Sequence, residues 1–291
     1  MSESPNTPTQ SAAAAPEILH IDLPHLRVCA LAWGPADGRL VLCLHGYPDT
    51  AWTWRHLGPA LAAQGYRVTI ADRNAELAEA RAAELGAPHT AVVVEVTDEA
   101  SVAAVFEQVG ELDAVVSCAG FSTFGLIVDM PVEDFRSVVD CCLTGSFIVT
   151  KYAGRQLREG GSLVCISSLN GRQPAIGMSA YSAAKAGLSM LTEVAALELG
   201  HKGIRVNAVA PGFVTTPLTE GAAMIPGVVD EYVENTALGR AGTPEDIANA
   251  VLFLCSEQSS WMTGEVLDLN GGAHLKRYPD IMSHVLKLAS G

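Results

Sequence analysis

The sequence predicts an α/β fold built as a single doubly wound parallel sheet, and two observations carry that prediction. Short apolar runs recur along the chain, and stretches of helical periodicity separate them. Strand and helix alternate at a rhythm that suits right-handed crossovers, with helices on both faces of the sheet. A third observation sets the scale: 291 residues, 49% of them hydrophobic, are ample for one large core.

Taken in order, residues 1–16 are polar and alanine-rich, with no basic or apolar stretch of the secretory kind, and are expected to form a disordered tail. "EILHIDLPHLRVCALAWG" reads as an antiparallel hairpin of two short strands with its turn at Pro24-His25. "RLVLCLHG" (39–46) is a buried strand, with a helix over about 54–64. "YRVTIADR" (66–73) is the next strand, "NAELAEARAAELG" (74–86) the next helix and "TAVVVEVT" (90–97) the strand after it. Then follow the helix "SVAAVFEQVG", the strand "LDAVVSCAG" (112–120), a helix near 132–157 and the strand "GSLVCISS" (161–168). A helix from about 179, the strand "IRVNAVAPG" (204–212), the helix "PEDIANAVLFLCS" and the strand "EVLDLNGG" complete the sheet. Residues 276–291 read as a C-terminal amphipathic helix that covers either a neighbour's pocket or its own subunit. No internal repeat is present.

The charge narrows the partners. A net charge of -14 repels nucleic acid and anionic membranes, so neither is an expected partner. No apolar run reaches the roughly 18 residues of a membrane span. Seven cysteines, an odd number without CxxC or zinc spacing, suit reduced thiols in the cytoplasm and predict no metal site.

The strongest chemical signal is "SSLNGRQPAIGMSAYSAAK". Ser168 ends a strand, Tyr181 enters a helix, and Lys185 follows one turn later on the same face. A tyrosine alone is too weak an acid for work near neutral pH. A lysine ammonium beside it stabilises the phenolate, and a serine can hold a substrate oxygen while the tyrosine exchanges its proton.

On these residues, and on "PGFVTTP" downstream, residues 67–272 resemble the classical short-chain dehydrogenase/reductase family. The resemblance implies a Rossmann-like doubly wound sheet and hydride transfer between NAD(P) and an alcohol or ketone carbon. It matches Tyr181 to the catalytic acid/base, Lys185 to the lysine that also holds the nicotinamide ribose, and Ser168 to the substrate-orienting serine. Pro211, Gly212, Val214 and Thr216 match the segment that clamps the nicotinamide carboxamide. Asp72 ends the second strand of the unit, where an acidic residue accepts the adenosine ribose hydroxyls, and so favours NAD over NADP; it also suits a helix N-cap. Reductases of this kind form dimers or tetramers through helices equivalent to 132–157 and 179–199, and a homodimer or homotetramer is implied here.

Three departures matter. The family's "NNAG" is Ser117-Cys118-Ala119-Gly120, which keeps small residues at Ala119 and Gly120 for backbone approach to the cofactor. The acidic residue that touches adenine is Glu95 instead of aspartate. The catalytic asparagine, which supports the proton supply to the lysine, is replaced by Cys142, a poor hydrogen-bonding substitute. A slower enzyme is expected.

The largest departure lies at "LCLHGYPDTAWTW" (42–54), where the family carries TGxxxGxG and this chain carries no such loop. Residues 18–68 instead resemble the start of an α/β-hydrolase of the epoxide-hydrolase type, with His45-Gly46-Tyr47-Pro48 as its oxyanion loop. No nucleophile elbow follows, so a hydrolase is the least favoured function. The chain therefore reads as a chimera joined near residues 65–70, and Asp49 in the loop is expected to repel a pyrophosphate. Trp52 and Trp54 are expected to pack on the sheet.

The splice sets up a topological conflict. In a hydrolase sheet, strand 27–33 pairs beside strand 67–72; in a reductase sheet, strand 90–96 takes that edge. The expectation is that strand 90–96 wins and the hairpin is displaced. The leading function is thus an NAD-dependent oxidoreductase weakened at its phosphate loop, with a non-catalytic splice of the fold as the alternative. Phe121, Phe124, Ile176, Met178 and Phe213 are expected to line a pocket for an apolar small-molecule alcohol or ketone.

Overall fold

The computed structural model describes residues 17–23, 26–33, 38–44, 54–73 and 89–290. The expected tail (1–16), the loop 45–53 and the helix 74–86 lie outside the described residues.

Nine strands form one sheet among the described residues, in the order β1-β2-β5-β4-β3-β6-β7-β8-β9. They are β1 (Glu17–Leu23), β2 (Leu26–Trp33), β3 (Arg39–Leu44), β4 (Tyr66–Asp72), β5 (His89–Val93), β6 (Leu112–Ser117), β7 (Leu157–Ile166), β8 (Arg205–Pro211) and β9 (Val266–Leu269). From β5 to β9 every neighbouring pair is parallel, which gives the expected seven-stranded, Rossmann-like core. Strand β3 sits between β4 and β6, and Val41, Leu42, Cys43 and Leu44 are fully buried there. That is why its sequence is continuously apolar rather than alternating: a central parallel strand is covered on both faces.

The helices are α1 (Trp54–Ala63), α2 (Glu99–Val109), α3 (Val132–Val139), α4 (Ser146–Gln156), α5 (Ser179–Leu199), α6 (Pro217–Ala223), α7 (Val228–Glu234), α8 (Pro244–Cys255) and α9 (Ile281–Ser290). Asp98 caps α2 by accepting from the amide of Ala100, and Thr243 and Asp246 form a reciprocal capping box on α8. Leu57 and Leu61 bury α1 in the same core. The Tyr66 hydroxyl donates to the Cys255 carbonyl at 2.8 Å, tying β4 to the end of α8.

Four elements differ from the sequence expectation. First, the hairpin is displaced outside β5, as expected, with Leu31 paired to Thr90, yet its end also reaches β4, so the two share that edge. β5 pairs with Thr69–Asp72, while β2 reaches the lower half through Ala32↔Thr69 and Trp33↔Val68, antiparallel. The reason is length. β5 has five residues against seven in β4, so the start of β4 keeps an open edge that β2 can fill. Second, the single helix near 132–157 is α3 and α4 separated by a π-helical turn over Asp140–Gly145. Third, β7 begins at Leu157, four residues early, with a register shift against β6. Fourth, residues 276–280 are not helical and α9 starts only at Ile281. Pro279 disfavours helix at the residue before it, and the Asp280 carboxylate accepts from the Ser283 amide.

Candidate active site

The site is built where the parallel strands end. β7 delivers Ser167 and Ser168, β6 delivers Cys118 to Gly120, and β8 delivers Pro211 to Val214. Carboxyl ends of parallel strands are where open α/β sheets leave a crevice. Here the crevice is a cavity of about 530 Å³. Ser168, Tyr181, Lys185, Gly120, Pro211, Gly212, Val214 and Thr216 all border it, so eight of the sequence-predicted site residues share one space.

Ser168 is in extended backbone and opens a single 3-10 turn, its Oγ accepting from the Asn170 amide at 3.2 Å. Tyr181 stands at the entry to α5 and borders the same cavity as Ser168. Lys185, one turn on, is 3% exposed. Its Nζ donates to the Ile166 carbonyl at 2.6 Å and lies 5.6 Å from the centre of the Tyr181 ring. The charged head is therefore aimed under the tyrosine and held by the end of β7.

The electrostatics follow from burial. Burial pushes the Tyr181 phenol above its ordinary value, and the neighbouring Lys185 ammonium works in the opposite direction. Burial works to pull Lys185 down, yet the surrounding Tyr181, Cys142, Cys118 and Cys141 leave it net raised. Lys185 is thus a firm cation and Tyr181 a neutral hydrogen-bond donor, which is the protonation state needed to protonate a carbonyl oxygen.

Cys142 sits in the π-helical turn, fully buried, with its Sγ 3.3 Å from the Phe121 carbonyl oxygen. A Cβ built on Gly120 would come 3.2 Å from the Cys142 Sγ and 3.4 Å from the Lys185 Nζ. Gly120 is therefore the space between thiol and ammonium, and no larger residue fits without moving one of them. Adjacent Cys141 and then Lys185 draw the Cys142 thiol below its ordinary value, against the opposing effect of burial. Cys141 is pushed up by Cys142 and by burial. The π turn itself packs closely: a Cβ on Gly145 would meet Val96 Cγ2 at 3.0 Å.

The remaining predicted residues lie elsewhere. Asp72 is buried at the end of β4, and Ala119 is buried behind the cavity. The Glu95 carboxylate turns back onto the Thr97 amide and hydroxyl, at 3.1 and 2.8 Å, and reaches Arg73 at 3.8 Å. Of the expected apolar pocket residues, Phe124, Met178 and Phe213 border the cavity. Ile176 does not; it is 57% exposed, because it lies in the turn before α5 and points outward. Phe121 packs instead against the buried group around Val138, Cys142, Ala180 and Ala184.

Sequence reasoning missed the far wall. α6 and α7 bring Ile225 and Tyr232 to the cavity, and the C-terminal segment of this same chain brings Tyr278, Ile281 and Val285. The signals were short: Pro217 at the first position of α6, with Thr216 and Thr219 as its reciprocal cap.

The sheet, the crevice at its carboxyl edge and the serine–tyrosine pair on the cavity wall with its buried lysine define a Rossmann-type oxidoreductase. The chain belongs to the short-chain dehydrogenase/reductase family, which works with NAD(P)H: the family model described as enoyl-(acyl carrier protein) reductase matches residues 55–274. The chain is 38% identical to a (3R)-3-hydroxyacyl-CoA dehydrogenase of Canis lupus familiaris over 198 residues, 65% of this chain and 76% of that protein. It is 38% identical to the 3-oxoacyl-[acyl-carrier-protein] reductase FabG of Aquifex aeolicus over 228 residues, 75% of this chain and 91% of that protein. Among solved structures, a short-chain type dehydrogenase/reductase from Mycobacterium ulcerans superposes with a TM-score of 0.79 at 29% identity, covering 89% of this chain and 96% of that one. BdcA in complex with NADPH superposes with a TM-score of 0.72 at 29% identity, covering 80% and 93%. No described helix is long and apolar enough to cross a membrane.

Proposed function

We propose that the protein transfers hydride between NAD and the carbonyl or carbinol carbon of a small apolar ketone or alcohol, with Ser168, Tyr181 and Lys185 as its catalytic residues. The observation that carries this reading is Ser168 and Tyr181 on one cavity wall, with the Lys185 ammonium buried 5.6 Å from the centre of the Tyr181 ring. A nicotinamide, when bound, supplies or accepts the hydride. The cavity suits its nicotinamide end: Lys185 offers an ammonium with donors beyond its bond to Ile166, Gly120 leaves an opening, and Pro211, Gly212, Val214 and Thr216 form the facing wall. Beyond the cavity, Asp72 at the buried end of β4 would accept the ribose hydroxyls, Glu95 would flank the adenine, and Ala119 would let the backbone approach the cofactor.

In reduction, Ser168 holds the substrate oxygen and Tyr181 gives it a proton, while Lys185 stabilises the phenolate that remains. In oxidation the same groups run in reverse, so alcohol oxidation needs the phenolate and rises with pH. NADH consumption with a panel of ketones tests the reading; turnover of esters or epoxides without NADH consumption contradicts it.

Cys142 takes the asparagine position of the family. Cys142→Asn is expected to raise kcat by about three- to tenfold, the scale of one restored hydrogen bond. Steady-state kinetics of the variant and the parent measure it.

Asp72 underlies the preference for NAD. A 2′-phosphate would meet its like charge, and Arg73 beside it is engaged with Glu95. Asp72→Ser is expected to move the NADH-to-NADPH affinity ratio by about tenfold toward NADPH. Competitive titration checks it.

Residues 18–68 we read as an α/β-hydrolase-like segment built into the reductase sheet. For residues 18–54 this is supported by the family match, which begins at residue 55, and their place in the sheet by β3 beside β6. A homodimer or homotetramer is supported by apolar side chains exposed on α3 to α5, among them Phe147 at 50%, Met190 at 57% and Leu197 at 84%. Six free cysteines among the described residues suit a reducing compartment such as the cytoplasm.

A further inference from the structure

The far wall of the cavity is made of two separate pieces of chain. α7 and the loop before it supply Tyr232 and Ile225, and the C-terminal segment supplies Tyr278, Ile281 and Val285. On the cavity side the pieces are joined by a closed hydrogen-bond chain. The Tyr232 hydroxyl donates to Tyr278 at 2.8 Å, and Tyr278 donates to Asn170 Oδ1 at 3.3 Å. Burial raises both phenols, so this chain stays neutral and does not respond to pH near neutrality. The start of the C-terminal segment is anchored as well: Lys276 Nζ donates to the Glu234 carbonyl at 2.7 Å.

The outer side of the same junction is different. The Glu231 carboxylate of α7 accepts from Arg277 Nη1 at 2.6 Å and from the Asp280 amide at 3.2 Å, and its Oε2 lies 2.7 Å from His284 Nε2 on α9. The other ring nitrogen, His284 Nδ1, lies 3.1 Å from the Pro226 carbonyl oxygen. Burial works to raise the Glu231 carboxyl, but the Asp280 amide, Arg277 and His284 outweigh it and leave it net lowered, so the group is ionised. A carbonyl oxygen and an ionised carboxylate can only accept. A neutral imidazole has one N–H, and an imidazolium has two. Both contacts of His284 are therefore made only by the imidazolium. The ring is also closely seated: a Cβ on Gly227, whose φ is +84°, would meet His284 Cε1 at 2.8 Å. Among the described residues, the charged groups that share this surface cleft are Asp230, Glu231 and Glu234 of α7, Arg277 and Asp280 ahead of α9, and Lys287 of α9 itself. Four carboxylates face two cations there, so the imidazolium adds a third cation to an acidic cleft.

We propose that His284, Glu231 and the Pro226 carbonyl form a proton-operated latch that holds α9 against α7 and so positions the far wall of the substrate cavity. With the imidazolium the latch is closed, and Ile281 and Val285 on the same helix are pressed to the cavity. When the ring loses its proton, one of its two contacts loses its hydrogen. α9 then loosens from the loop 225–227, while the tyrosine chain and Lys276 keep the start of the segment in place. Imidazoles titrate at about pH 6.5, so the latch is closed at pH 5.5 and loosened at pH 8. Glu231 and His284 are positioning residues and touch no substrate. The effect on turnover rests on the oxidoreductase reading above; the latch itself does not.

The test is hydrogen exchange of the full chain, read by mass spectrometry on peptides covering 225–235 and 281–290 and corrected for the intrinsic pH dependence of exchange. Protection in the parent is expected to fall by about tenfold between pH 5.5 and pH 8, the worth of one hydrogen bond to a charged group. His284→Gln keeps one donor but cannot titrate, and is expected to show the lower protection at both pH values. Equal protection of the parent at the two pH values would overturn the proposal, as would the same fall in His284→Gln. Ketone reduction gives a second readout. The parent KM for ketone is expected to rise by about three- to tenfold over the same pH range, whereas the KM of His284→Gln is already high and flat, and the pH profile of kcat is the same in both. A KM that moves equally with pH in both proteins would show that the cavity does not depend on the latch, against the proposal. If the parent turns over no ketone, the oxidoreductase reading fails, and the exchange measurement still decides the latch.

Discussion

Tyr181→Phe is expected to lower kcat/KM for ketone reduction by about a thousandfold, within the range that one positioned proton donor contributes. The variant keeps the ring and loses only the hydroxyl, so the packing at the entry to α5 persists and thermal unfolding should move little. The loss should fall almost wholly on kcat, because the hydroxyl acts where charge develops on the substrate oxygen. Steady-state kinetics with NADH held in excess, together with an unfolding curve, measure both halves of this expectation. A modest loss shared equally between kcat and KM would mean that Tyr181 only helps to bind substrate, and Ser168 would then be the better candidate for the polarising donor.

A glycine-rich TGxxxGxG loop placed over residues 45–52 is expected to tighten NADH binding by about a hundredfold, the worth of one to two charge-assisted bonds from backbone amides to phosphate. The present sequence there has a single glycine, Gly46, and carries Asp49 five residues ahead of the first residue of α1. The helix that would receive the pyrophosphate is retained, and so are its anchors in the core, Leu57 and Leu61. What the sequence lacks is the small residues that let amides approach and the neutral lining that avoids repulsion. Equilibrium titration of both proteins with NADH checks the expectation, and an unaltered Kd would show that the existing loop already accommodates the phosphates.

Most of the sheet was legible because a parallel core demands continuous apolar runs, as in β3, β4, β6 and β8, and such runs have no other ready explanation in a chain of this composition. Ser168, Tyr181 and Lys185 were legible for a related reason. Their spacing puts a strand end and one helical turn side by side, and the structure brings the three together at the cavity. The division of the β4 edge was not legible. It depends on β5 being two residues shorter than β4: the strands end together, at Asp72 and Val93, and differ at their starts. The π turn at Asp140–Gly145 was hidden as well, since an inserted backbone residue leaves the helical period almost unchanged over so short a stretch. Ile176 was misplaced because apolar character alone does not tell an outward turn residue from a pocket lining. The far wall of the cavity was missed because Tyr232 and Tyr278 are 46 residues apart and meet only through the Glu231 network.

The central claim is that a working serine–tyrosine–lysine site is coupled to a weakened phosphate cradle. It is tested most directly by titrating the purified protein with NADH and with NADPH, reading energy transfer from its tryptophans. The account predicts saturable NADH binding with a Kd of about 0.1–1 mM and weaker binding of NADPH, an affinity several kcal/mol short of nanomolar. Absence of NADH binding at millimolar concentration in a folded protein would contradict it and leave a fold that keeps the catalytic residues without the cofactor they serve.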